Sequence, residues 1–571
     1  MRSRQSCRKW RSRRSEPQLA THRGVGAALT VLVRAVPRPR LSQRKRSSYN
    51  ANHRGVGAAL TNNYRPWRAS VSIAILKSRA QIGTDAPAVT IEVYLSGGLP
   101  GFSIVGMPET AVRESKDRVR AALLSTGFRF PLERITVSLG PADMRKTGGR
   151  FDLAIALGIL AASKQVPVKS LDRLEFYGEL ALNGDIRRVP GVLPAALKAR
   201  AAGSSVVVPV ENADEALLAK APVFAVSTLL QVTAHLRCVQ VLKPLLPTTT
   251  TTGTRPAPDL SEVRGQAQAK RALEVAAAGG HNLLFIGPPG TGKSMLAARL
   301  PGILPPMTES EAIATAAIDS VLGMPPDLTR WRCRPFRAPH HTASAPALVG
   351  GGPEPSPGEV SRAHNGVLFL DELPEFNRNV LEVLREPLEA GTITISRARR
   401  QADFPARFQL IAAMNPCPCG YLGDLSGECG CSAERVANYR GKISGPLLDR
   451  IDLHVEVGRP PKELLRGNAP IGEKSADVVK RVVAARRKQI TRAGISNSRL
   501  QGDRLTRDCE LSAEGWRLLD NAADRFALSV RTYHRILRVS RTIADLAAAQ
   551  MITPPHIAEA LALRGLDRKK R

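Results

Sequence analysis

The chain has 571 residues, of which 83 are Lys or Arg and 50 are Asp or Glu, for a formal charge of +33. At about 100–200 residues per domain this is enough chain for several domains, and 43% hydrophobic with 23% charged residues is an ordinary folded composition. No run of about eighteen consecutive apolar residues occurs, which excludes a spanning helix, and eight cysteines are too few for a disulfide scaffold, which points to the reducing cytoplasm.

Half of the charge lies in residues 1–70, which hold 17 Lys or Arg and a single acid, Glu16. This stretch lacks helical or strand periodicity and repeats HRGVGAALT at His22–Thr30 and His53–Thr61. Two copies do not make a repeat fold. The expectation is translated repetitive sequence ahead of the true start; a transit peptide and a basic nucleic-acid-binding arm are the alternatives. Patterned sequence begins at Val71–Leu76.

From 71 to 243 short apolar strands alternate with helical spacing, an α/β pattern. Strands are predicted at Val89–Leu95, Phe102–Val105, Ile135–Leu139, Phe176–Leu180, Val206–Val210 and Val223–Val226. Helices are predicted over Glu109–Leu124 and Phe151–Ala162. Residues 244–258, rich in Thr and Pro, read as a linker.

The segment 259–460 carries the strongest signal. Gly287, Pro288, Pro289, Gly290, Thr291, Gly292, Lys293 and Ser294 fit G-x4-G-K-[ST], between the apolar strand Leu283–Ile286 and a helix over Lys293–Leu300. In such a loop backbone N–H groups wrap phosphates, Lys293 neutralises the β and γ oxygens, and Ser294 ligates Mg2+ of a bound ATP. The strand Val367–Leu370 ends in Asp371 and Glu372. Asp371 suits the magnesium shell and Glu372 the polarisation of an attacking water. A further strand, Leu410–Met414, ends in Asn415, placed to orient that water. Between them Leu381–Glu389 reads as one helix, and Thr392–Ser396 with Gln401–Phe404 as a β-hairpin whose tip carries Arg397, Arg399 and Arg400. Arginines there suit sequence-independent phosphate contacts with DNA, and a second basic stretch, Arg330–His341, could line the same channel. Cys417, Cys419, Cys429 and Cys431 form C-x-C-x9-C-x-C, a four-thiol set suited to a structural Zn2+; four free thiols are the alternative.

Residues 461–571 read as a helical bundle: Lys474–Arg492, with Arg481, Arg486, Arg487 and Lys488 clustered on it, then Ser512–Phe526, Val530–Ala549 and Pro555–Arg564.

With the phosphate loop, the stretches VRGQAQAKRALEVAAAGGHNLL (263–284), RPFRAPHHTAS (334–344), GEVSRAHNGVLFLDELPEF (358–376) and AAMNPCPCG (412–420) resemble the ComM/YifB family of magnesium-chelatase-like AAA+ proteins. The resemblance runs from about Val71 to Leu566. It implies an α/β P-loop AAA+ core with a C-terminal helical lid, preceded by an α/β domain similar to ribosomal protein S5 domain 2 and the Lon protease domain. The serine and lysine of Lon-type proteolysis have no counterparts at Gly148–Asp152 and Gly191–Pro194, which argues against proteolysis. The resemblance further implies Arg450 as the arginine finger on a neighbouring subunit's ATP, Arg531 as the γ-phosphate contact of the lid with Arg535 second, and Gln266 near the adenine. It implies a hexameric, cytoplasmic ring whose hairpin enters the pore. The expected function is an ATP-driven DNA helicase or branch-migration motor in recombination during natural transformation. Its rivals are a motor for metal insertion into a porphyrin and an ATP-binding scaffold.

Overall fold

The computed structural model describes residues 72–245, 257–352, 355–397, 400–424, 427–459 and 472–568. The basic leader, most of the linker, and Arg399 at the hairpin tip lie outside the described residues, as do the side chains of Arg397 and Arg400. No described helix is long and apolar enough to cross a membrane.

The first part is a mixed sheet with helices. Its elements are β1 (Ser72–Arg79), β2 (Ala88–Ser96), β3 (Gly101–Val105), α1 (Thr110–Ser125), β4 (Arg134–Gly140), α2 (Asp152–Ala162), β5 (Leu174–Phe176), α3 (Val192–Ala201), β6 (Ser205–Pro209) and β7 (Val223–Val226). Seven strands lie in the order β3-β4-β2-β1-β5-β6-β7. β2 runs antiparallel to β1 and β4, whereas β5, β6 and β7 run parallel. β2 alternates buried and exposed residues, so one face takes the core. α2, wholly buried, packs on β1 and β2; Gly158 is needed there because a Cβ would stand 2.5 Å from Val93 Cγ2.

The expected strand Phe176–Leu180 is two pieces. The sheet strand stops at Phe176, and Glu179–Leu180 pairs instead with Ile186–Arg187. The break falls at Gly178, where a Cβ would meet Ile186 Cγ2 at 2.5 Å. At the two positions compared with Lon, the polar groups serve the fold. Arg150 donates to the carbonyl of Pro190, and Asp152 is buried against Ser115 and Arg118.

The second part holds α4 (Ala267–Gly279), β8 (Leu283–Ile286), α5 (Lys293–Arg299), α6 (Glu309–Val321), β9 (Phe336–Arg337), β10 (Val367–Leu370), β11 (Thr392–Arg397), β12 (Arg400–Pro405), β13 (Gln409–Met414) and β14 (Leu453–Glu456). β9-β10-β13-β8-β14 form one sheet, parallel throughout. β8, β10 and β13 are buried at every residue, as parallel strands covered on both faces must be. Parallel alignment brings Gly287, Asp371 and Asn415, each just past a strand end, to one edge. Asn282 and Asp452 sit at the other. Ligands of such sheets gather at the carboxyl edge.

β11 and β12 pair in register from Thr392↔Pro405 to Arg397↔Arg400, which gives the predicted hairpin. The predicted helix Leu381–Glu389 is broken into Arg378–Glu382 and Arg385–Ala390. Pro387 lies in the first turn of the second piece, where its missing N–H costs no hydrogen bond.

The first part docks on the second through α3 and α6. Val192, Ala195, Ala196 and Ala199 share a core with Ala312, Ala316 and Ala317. Gly191 N donates to Ser320 O at 2.7 Å, and Leu193 N to Ser320 Oγ at 3.2 Å. A capping box of Thr308 and Glu311 starts α6.

The longer helices of the C-terminal part are α7 (Ser475–Ala493), α8 (Ala513–Phe526), α9 (Val530–Leu546) and α10 (Pro554–Ala562). Of the cations clustered on α7, Arg487 and Lys488 are exposed, whereas Arg481 and Arg486 engage other segments. Arg481 pairs with Glu274 and Glu473. Arg486 donates to the carbonyls of Ala277 and Ala278 at 2.9 and 2.8 Å, closing the C-terminal end of α4.

Candidate active site

The phosphate loop leaves β8 through Gly287, whose N–H donates to Met414 O at 3.2 Å. A Cβ at Gly287 would lie 2.1 Å from Val457 O, so only glycine fits. Gly290 and Gly292 take φ of +76° and +88°, which turns the backbone into α5. Thr291 Oγ1 donates to Pro288 O at 2.9 Å and stiffens the loop. Gln266 Nε2 donates to Gly458 O at 2.7 Å and approaches Thr291 O at 3.4 Å, so this side chain borders the loop.

The predicted residues of the carboxyl edge converge. Lys293 Nζ donates to Gly287 O at 2.7 Å, Pro288 O at 2.9 Å and Asn415 Oδ1 at 3.1 Å. Burial lowers its ammonium pKa, against the pull of Asp371 and Glu372. Ser294 Oγ donates to Asp371 Oδ2 at 2.5 Å. A hydroxyl beside a carboxylate is a hard oxygen pair, the donor set that Mg2+ takes together with phosphate oxygens. The site thus offers a cation for phosphate, two oxygens for a metal, and a further carboxylate at Glu372.

Glu372 is held at φ +51°, a conformation that side chains other than glycine seldom adopt. Its Oε2 lies 3.3 Å from His341 Nδ1, and the His341 ring lies tilted against His340 at 4.1 Å and meets the edge of Phe376 at 6.4 Å. Sequence reading had not joined His341 to Glu372. The signal was the register: Phe336↔Val367 and Arg337↔Leu368, counted onward, bring residue 341 abreast of residue 372.

Arg450, Arg531 and Arg535 are not at this edge. They line a cleft of about 1070 Å³ with Arg486, Arg499 and Arg538, between the strand starts and the C-terminal helices. Asn282 Nδ2, just before β8, donates to Arg450 O at 2.8 Å. Arg450 itself pairs with Glu389 and donates to Pro446 O at 2.5 Å. Arg535 Nη1 lies 3.1 Å from Asp452 Oδ1, and Asn282 N donates to Asp452 Oδ2 at 2.9 Å. Burial alone would raise the Asp452 pKa. The hydrogen bond with His281 and the charge of Arg535 instead hold it well below the usual carboxylate range. The whole of β8 separates this cleft from Lys293, about 13 Å at strand rise.

The basic stretch Arg330–His341 is largely spent inside the protein. Arg334 donates to Pro305 O and Asn365 O, both at 2.6 Å, and Arg337 grips Glu359 bidentately at 2.6 and 2.7 Å. The four cysteines do meet: their Sγ atoms all lie within 4.8 Å of one another.

Three family models match the chain. That for magnesium chelatase, subunit ChlI, covers residues 259–465, that for subunit ChlI of Mg-chelatase covers 91–212, and that for the ChlI C-terminal part covers 472–564. Competence protein ComM of Haemophilus influenzae is 50% identical over 506 residues, 87% of this chain and 98% of that protein. The uncharacterized protein YifB of Escherichia coli is 46% identical, with the same coverage of both chains. The magnesium-chelatase 38 kDa subunit of Rhodobacter capsulatus is 27% identical over 38% of this chain and 60% of its own length.

Proposed function

We propose, from the premise that the chain belongs to the magnesium-chelatase-like AAA+ family of ComM and YifB, that it is a Mg2+-dependent ATPase working as a closed ring on DNA. The observation that carries this reading is the separation of charges. Lys293, Ser294, Asp371, Glu372 and Asn415 converge at one sheet edge, while Arg450, Arg531 and Arg535 line a cleft at the other. Cations on that far edge serve a nucleotide held by an adjacent copy. Head-to-tail contacts of this kind close into rings, and a hexamer is the form the family resemblance implies.

In this mechanism Lys293 leaves its loop carbonyls for the β and γ oxygens of ATP. Ser294 and Asp371 would hold Mg2+, which would supply charge neutralisation for phosphoryl transfer. Glu372, kept in place by His341, takes the proton of the attacking water, and Asn415 orients that water against the γ-phosphate. Gln266 borders the adenine. Arg450 lends its charge from the next subunit, with Arg531 and Arg535 beside it.

The first part, residues 71–243, fits an S5- or Lon-like domain by its mixed sheet. Residues 244–258 serve as its linker, 259–460 as the ATPase core, and 461–571 as the helical lid. Four thiols within 4.8 Å support a structural Zn2+ on Cys417, Cys419, Cys429 and Cys431. DNA is the substrate favoured by a relative named as a competence protein and by the sequence run of Arg397, Arg399 and Arg400 between the two paired strands of the hairpin. The work is strand separation or branch migration in the cytoplasm, in recombination during natural transformation. Porphyrin metallation is the rival. ATP turnover with forked or four-way DNA, set against turnover with a porphyrin, tests the proposal. We expect stimulation and strand displacement with DNA. Stimulation by porphyrin alone would overturn it.

A further inference from the structure

The four-thiol cluster stands against the phosphate loop. In a tetrahedral Zn–S4 site with bonds of about 2.3 Å, neighbouring sulfurs are about 3.8 Å apart. Here Cys417 and Cys419 are 3.3 Å apart, Cys417 and Cys429 3.8 Å, and Cys419 and Cys429 3.6 Å. These three distances are close to the edges of one face of such a tetrahedron, and the Sγ of Cys431 lies within 4.8 Å of the other three. They are far longer than the bond of a disulfide, about 2.05 Å.

Three contacts join this cluster to the nucleotide cradle. The first runs along the chain. Cys417 follows Asn415 by two residues, and Asn415 Oδ1 accepts from Lys293 Nζ at 3.1 Å. Pro416 between them is gripped by Arg440, whose Nε and Nη2 donate to its carbonyl at 3.2 and 3.1 Å. The second is packing. Gly420, at φ +88°, follows Cys419 and lies so close to the loop that a Cβ would stand 2.7 Å from Pro289 Cδ. The third is an ion pair. Asp424, between the two cysteine pairs, meets Arg459 Nε at 2.9 Å, and the adjacent Gly458 accepts from Gln266. The segment that carries the cysteines therefore meets the cradle beside Asn415, at Pro289 of the loop, and at Arg459 next to the Gly458 that accepts from Gln266.

We infer that a Zn2+ held by Cys417, Cys419, Cys429 and Cys431 braces the phosphate loop, so that metal occupancy sets nucleotide affinity and makes turnover sensitive to thiol oxidation or zinc loss. With the metal bound, the short chain from Asn415 to Gly420 is fixed at both ends and holds Asn415 and Pro289 in place. Without it, sixteen residues from Pro416 to Cys431 lose their common anchor. This inference rests on the reading of the loop as an ATP site.

The test uses the full-length protein as purified. Zinc is counted by elemental analysis, and a fluorescent ADP analogue is titrated to read affinity without hydrolysis. The expected result is one zinc per chain. Cys429→Ser with Cys431→Ser removes the zinc and weakens nucleotide binding by about tenfold, the scale of one lost hydrogen bond to a charged group. Gly420→Ala keeps the zinc and still weakens binding, because its methyl group presses on Pro289. Chelating zinc from the wild type and adding it back gives the same loss and recovery without any substitution. Absence of zinc in the wild type, or equal nucleotide affinity with and without zinc, overturns the inference. Zinc-loaded wild type that binds no adenine nucleotide overturns instead the ATP reading beneath it.

Discussion

Glu372 shows what one residue needs from its surroundings. The role proposed for Glu372, activating water, requires a carboxylate that points in one direction, and a left-handed backbone at φ +51° and a partner at 3.3 Å supply that direction. Glu372→Gln is expected to keep ATP binding while turnover falls by about 100- to 10,000-fold, the range for removal of a general base; single-turnover kinetics and filter binding read both. His341→Ala should lower kcat and leave KM nearly unchanged, because His341 acts on Glu372 and not on substrate. A raised KM with kcat unchanged would assign His341 to binding. At this scale much was legible in the sequence. Lys293, Ser294, Asp371 and Asn415 each follow a short apolar strand, and parallel strands carry such residues to one edge. The His341–Glu372 pair was not legible, because it depends on the register of β9 against β10.

At the scale of elements, polar contacts between segments decide which charges reach solvent. Arg334, Arg337, Arg481 and Arg486 looked like basic surface and instead hold carbonyls and carboxylates of other segments. A sequence shows the count of cations; only the fold shows which are spent. The helix Leu381–Glu389 failed for a local reason, since its apolar spacing runs on through Pro387 while its hydrogen bonds do not. His364 offers a test of these contacts. Its Nδ1 accepts from Arg407 N at 3.0 Å, just before β13. Burial, with the charge of Arg407, pushes its pKa down to about 4, against about 6.5 in an unfolded chain. Between these values the unfolded chain binds more protons, so stability is full above about pH 6.5 and falls as pH drops toward 4, by about 3 kcal/mol at most. Denaturant melts from pH 7 to pH 5 should show this loss, and His364→Gln, which retains an acceptor but cannot titrate, should flatten it. An unchanged slope in the variant would assign the acid sensitivity to other groups.

For the whole molecule the decisive feature is that Lys293 and Arg450 lie at opposite edges of one sheet, the two halves of a nucleotide site on the proposed reading. The motifs around Lys293 and Arg450 both stand out in the sequence, yet their separation does not. It follows from Asn282 and Asp452 anchoring Arg450 and Arg535 at the strand starts. A protein so built gains full turnover only in company. Mixing provides the most direct measurement: Lys293→Ala and Arg450→Ala proteins, each inactive alone, are combined and ATP hydrolysis is followed across mixing ratios. Sharing between neighbours predicts restored turnover, greatest near equal proportions, from interfaces that pair an intact phosphate loop with an intact arginine. No restored turnover at any ratio, in mixtures shown to co-assemble, would contradict the account.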